Sequence, residues 1–60
     1  MFRVTVTDID GDEAVYENVL GFHYPSGILH IAFQDGSAVA YAPGQWLEFM
    51  SEKVNEDYQV

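Results

Sequence analysis

Residues 28–33 and 37–42 carry apolar side chains at every second position, and an Asp35-Gly36 pair separates the two runs, which confines this stretch to a β-hairpin. A period of two sends Leu29, Ile31 and Phe33 to one side of a strand and His30 and Ala32 to the other. Across the ladder, Val39 and Tyr41 can answer the first set. Asp35-Gly36 is read as a tight turn, because glycine has no Cβ to oppose the positive φ that such a turn requires. Pro43-Gly44 ends the second run.

The beginning of the chain repeats this pattern. Over 2–8, Phe2, Val4 and Val6 alternate with Arg3, Thr5 and Thr7, and Asp10-Gly11 then supplies a second turn signal. A strand over 13–20 follows, with Val15, Tyr16 and Val19 available to a core. Its alternation slips near Asn18, as one extra residue in a bulge would make it do. Tyr24-Pro25-Ser26-Gly27 forms the next turn. Connections this short make consecutive strands antiparallel neighbours, so the expected framework is a four-stranded up-and-down meander over about 2–8, 13–20, 28–33 and 37–42.

From Gln45 the period changes. Trp46, Phe49 or Met50, and Val54 recur at three and four residues, and Glu48, Glu52 and Glu56 form a row four apart, the spacing of an amphipathic helix over about 45–55. Such a helix would also cover the apolar sheet face, which a lone sheet leaves in water. A fifth strand over 46–50 is the alternative, but strict alternation would then place Glu48 in an apolar row with Trp46 and Met50. The expected fold is therefore α+β and mainly β: one small domain over 1–60, with the meander, a C-terminal amphipathic helix and a fraying tail at 56–60.

Charge and composition limit what such a domain can do. Ten acidic residues against Arg3 and Lys53 give a formal net charge of −8, which opposes direct binding to nucleic acid or to an anionic membrane. Hydrophobic residues make up 48% of the chain, too many for a disordered acidic tail. There is no cysteine, so disulfides and thiolate metal sites are excluded. A chain this short buries only about 60% of the surface it exposes when unfolded, which makes self-association a natural aid to stability. Ala32, Ala38, Ala40 and Ala42 would give the outer face the small residues for close approach, and a micromolar homodimer is expected. No leader peptide and no apolar run of about 18 residues is evident, and a cytoplasmic setting is expected.

Motifs for chemistry are weak. Asp8, Asp10 and Asp12 resemble the start of a calcium loop, yet an EF-hand beginning at Asp8 needs Gly and Glu where Glu13 and Val19 stand. His23 and His30 match no zinc spacing. Ser26, Ser37 and Ser51 lack a paired base or an oxyanion hole. No catalytic residue, metal or cofactor is expected, and the chain is read as a non-enzyme.

The opening VTVTDIDG, the Tyr16-Glu17-Asn18-Val19 and Gly27-Ile28-Leu29-His30-Ile31 strands, and the closing AVAYAPGQW resemble the small acidic accessory proteins of bacteriophages, notably those of actinobacteria. That resemblance implies expression in the host bacterial cytoplasm and the binding and modulation of a host or viral protein. The residues proposed to meet a partner, possibly a basic protein, are Trp46, Glu48, Glu52, Glu56 and Tyr58. A structural or assembly homo-oligomer using the sheet edge or face is the alternative. A third reading, DNA mimicry, is disfavoured by density: ten carboxylates on a domain about 27 Å across give about one charge per 2.7 Å, against about one per 1.7 Å in duplex DNA.

Overall fold

The computed structural model describes residues 1–54. They form one antiparallel sheet of five strands: β1 Phe2–Asp8, β2 Glu13–His23, β3 Leu29–Phe33, β4 Ala38–Tyr41 and β5 Trp46–Lys53. Their spatial order is β4-β3-β2-β1-β5, so the first four strands meander and the fifth returns to the free side of β1.

Both Asp-Gly turns use the same three-residue loop. Gly11 N–H donates to the Asp8 carbonyl and Asp8 N–H to that of Asp12; Gly36 and Phe33 N–H groups repeat this pattern with Phe33 and Ser37. Only the glycine of each pair takes a positive φ, 85° at Gly11 and 93° at Gly36, which is the left-handed position that closes a three-residue hairpin rather than a two-residue one. The Asp of the second pair works through its side chain, accepting the Ser37 N–H at 2.9 Å and the Ser37 hydroxyl at 2.6 Å.

The helix expected over 45–55 is not there, and the α+β assignment is corrected: the only helical turn among the described residues is a 3-10 turn at Pro25–Gly27. The cause of the misreading is a bulge. Thr7 lies opposite Glu48 but Asp8 lies opposite Trp46, so Leu47 is an extra residue without a partner on β1. One extra residue reverses the phase of a strand. Trp46 and Phe49 therefore both face inward although three apart, while Glu48, Met50 and Glu52 face outward, and the carboxylate that argued against a strand never enters the apolar row. Pairing also satisfies the backbone of β1, whose Val4 and Val6 are fully buried and whose polar groups would otherwise line an open edge.

β2 carries two comparable irregularities. Phe2 pairs with Val19 and Val4 with Tyr16, which leaves one extra residue at Glu17-Asn18, where Asn18 has φ 58°. A second shift falls between Val19 and Gly21 on the β3 side. Bulges bend and twist a strand, and here the sheet curls until its own aromatics cover the core. Val4, Val6, Val19, Leu29 and Ile31 are buried, with Phe2, Tyr16, Phe22, Phe33, Tyr41, Trp46 and Phe49 packed around them. Phe22 on β2 reaches Phe49 on β5 with ring centroids 5.4 Å apart, and Tyr16 meets Tyr41 of β4 at 6.5 Å. No residue with a polar side chain is fully buried among those described.

Deleting Leu47 removes the bulge but leaves Trp46 facing inward, because with Glu48 to Lys53 in register Trp46 then directly precedes the outward Glu48 and lies opposite Asp8. We expect the variant to fold, to lose no more than about 1–3 kcal/mol of stability and to keep the Trp46 emission of the parent, measured by denaturant titration with fluorescence. An emission shifted to the red before any unfolding, as a helix rotated by the deletion would give, would reject this origin of the misread period.

Candidate functional site

With one face of the sheet committed to the core, chemistry is left to the outer face, where directly opposed residues on neighbouring strands stand side by side. Three rows cross β5, β1 and β2 there. Glu48, Thr7 and Glu13 form the first, Met50, Thr5 and Val15 the second, and Glu52, Arg3 and Glu17 the third.

The third row is closed. The Arg3 guanidinium donates from Nε to Glu17 at 3.0 Å and from a terminal nitrogen to Glu52 at 3.0 Å. These are exposed pairs that add little net stability, but they show that a cation on the central strand spans the flanking carboxylates. The first row presents its two carboxylates with the neutral Thr7 at that central position. Between them the apolar row is in water: Met50 is 68% and Val15 56% exposed. The outer face of β5, β1 and β2 thus carries a strip of hydrocarbon flanked by carboxylates.

Of the residues expected to meet a partner, Glu48 and Glu52 lie on this face, brought beside Glu13 and Glu17 from the other acidic segment. Trp46 lies on the inner side, half-buried. Its indole N–H donates to the Gly27 carbonyl at 2.9 Å, and its ring packs near Phe49 and Tyr24, so it clamps the start of β5 against the Pro25 turn. Glu56 and Tyr58, with the tail at 56–60, lie outside the described residues. Met50, Val15, Arg3 and Glu13 were not singled out from the sequence, and Val15 was assigned to the core. Phe22 packs inward against Phe2 and Phe49. Such placements follow from register and bulges.

Other titratable groups have structural work. Asp8, Asp10 and Asp12 bring one carboxylate oxygen each within 4.8 Å of one another. One Asp8 oxygen, however, already accepts the Asp10 and Asp12 N–H groups at 2.9 and 3.0 Å, and so holds the turn. His23 and His30 are directly paired across β2 and β3, their rings stacked with centroids 4.8 Å apart. Beside them Leu20, Gly21, Ala32 and Ala38 help to line a hollow of about 430 Å³ without a carboxylate. On the inner face the Tyr16 and Tyr41 hydroxyls are 2.6 Å apart, and burial, then the bond to Tyr16, pushes the Tyr41 phenol up to about 12.

No family model, curated protein or solved structure matches the chain. No helix among the described residues is long and apolar enough to cross a membrane.

The raised Tyr41 phenol predicts an alkaline transition. A group whose value is higher folded than unfolded contributes stability that is complete below its ordinary value of about 10 and is lost as pH rises through the folded value. Melting temperature should therefore fall between about pH 10 and the Tyr41 value of about 12, and this part of the fall should be missing in Tyr41→Phe. Tyrosinate absorbance followed in parallel assigns the group; a fall of equal size in the variant would exclude Tyr41 as its source.

Proposed function

We propose that this chain is a non-enzymatic acidic interaction module that docks another protein, basic at its contact surface, on the outer face of β5, β1 and β2. The observation that carries the reading is the contrast between the two acidic rows: Arg3 already bridges Glu52 and Glu17, whereas Glu48 and Glu13 flank Thr7. A partner's Lys or Arg laid over Thr7 takes the place that Arg3 fills in the other row, with an apolar residue of the partner on Met50 and Val15. Apolar contact supplies an anchor and the carboxylates a steering rim. The role of a bacteriophage accessory protein that modulates a host or viral protein in the bacterial cytoplasm suits such a module and belongs to the same proposal. DNA mimicry suits it less, because Met50 and Val15 occupy the centre of the acidic surface.

Binding kinetics of the captured partner test this reading. Changing Glu13 and Glu48 together to Gln should slow association about tenfold with little effect on dissociation, and Met50→Ala should speed dissociation about tenfold. A complex that vanishes between 50 and 200 mM salt, with Met50→Ala silent, would favour the mimic and reject the anchored module.

Self-association is a second reading, favoured by the other half of the same face. The hollow beside His23 and His30 has no carboxylate in its lining, and Leu20 there is 59% exposed. Two copies of a chain of charge −8 repel least when this half is apposed. Sedimentation equilibrium should then show a dimer at micromolar concentration that tightens with salt and is lost in Leu20→Glu; a 6.8 kDa species up to about 100 μM would reject it.

A further inference from the structure

β5 is an edge strand: among the described residues its one sheet neighbour is β1, and none of them forms a ladder with the backbone groups on its far side. An open edge of this length is a template for another strand unless something prevents pairing. What β5 offers along its outer face is an alternation of acid, hydrocarbon and acid, Glu48, Met50 and Glu52, all exposed. A second copy of the chain is a poor occupant. Antiparallel pairing of two β5 strands centred on Met50 brings Glu48 of each against Glu52 of the other, about 5 Å apart, and like charges directly opposed are destabilising. The same positions favour a segment with the complementary alternation.

We propose that the partner is recognised by strand addition: an extended segment with the pattern basic, any residue, apolar, any residue, basic pairs with β5 as a sixth strand. Its basic side chains lie against Glu48 and Glu52, and its apolar side chain extends the Met50, Thr5 and Val15 row. Main-chain bonds to the open edge provide affinity and the alternating side chains provide selection, the division of labour usual for strand addition. Register is set by charge, because a slip of one residue turns both basic groups to the other face of the sheet. The Glu48 end is where a new cation finds a carboxylate that no cation among the described residues bridges, whereas Arg3 already holds Glu52. The Leu47 bulge marks one limit of the regular ladder, so the usable edge is the Glu48–Lys53 segment. This inference rests on the outer face of β5, β1 and β2 being the docking surface.

The test uses the full chain and two synthetic peptides of the same composition. One carries lysine, threonine, leucine, threonine, lysine at its centre; the other spaces its lysines four apart on a helix-favouring background. The strand peptide should bind, and Glu48→Gln should weaken it about tenfold, more than Glu52→Gln does. N-methylation of the peptide amides on one edge should weaken binding about tenfold or more, while methylation on the opposite edge is tolerated. Alternate amides of residues 48–53 should gain protection from hydrogen exchange. If only the helical peptide binds, or if the strand peptide binds with both methylated forms equivalent and no added protection, strand addition is overturned while the acidic docking face stands. If neither peptide binds at millimolar concentration, the docking face itself is wrong and the inference goes with it.

Discussion

Val4, Val6, Val19, Leu29 and Ile31 line one side of a five-stranded sheet, and among the described residues only the sheet itself keeps water from them. That constraint sets the rest of the structure. Flat strands would leave the row exposed, so the sheet must curl, and extra residues at Leu47, at Asn18 and next to Gly21 produce the bend. The aromatic residues complete the cover, with Phe22 reaching over β1 to Phe49 and Tyr16 over β3 to Tyr41. The Tyr hydroxyls bond to each other, and the Trp46 indole to the Gly27 carbonyl, so these polar tips keep partners while their rings pack.

Curling inward has a consequence for the opposite face. All the strand carboxylates of β1, β2 and β5 except Asp8 stand on the outer side of the sheet together with Arg3, Thr5, Met50 and Val15. The acidic residues near the start of the chain and those near its end thus meet across three strands, with the one arginine spanning half of them. The outer face is divided by chemistry. Its β5-β1-β2 half is acidic with an apolar strip, and its half toward β4 is small and uncharged around a stacked histidine pair. The basic partner and the second copy of the chain proposed above would use different halves of this sheet.

The strand alternation at 2–8 and 28–33, the turns at Gly11 and Gly36, and the irregularity at Asn18 were legible in the sequence because each depends on neighbours within a few residues: a period of two, a backbone position only glycine fills cheaply, one residue out of phase. The acidic composition was legible directly, whereas the placement of Glu48 and Glu52 in rows with Glu13 and Glu17 was not. Tertiary structure alone decided that 46–53 is a strand, because the spacing of Trp46 and Phe49 suits a helix turn and a bulged strand equally. Only the unpaired edge of β1 distinguishes them. It likewise decided that Val15 faces water and Phe22 the core, and that Thr7 rather than a cation lies between Glu48 and Glu13. Those facts belong to register, and register is fixed by pairing between residues distant in sequence, such as Arg3 and Glu52, 49 positions apart, which no local pattern encodes.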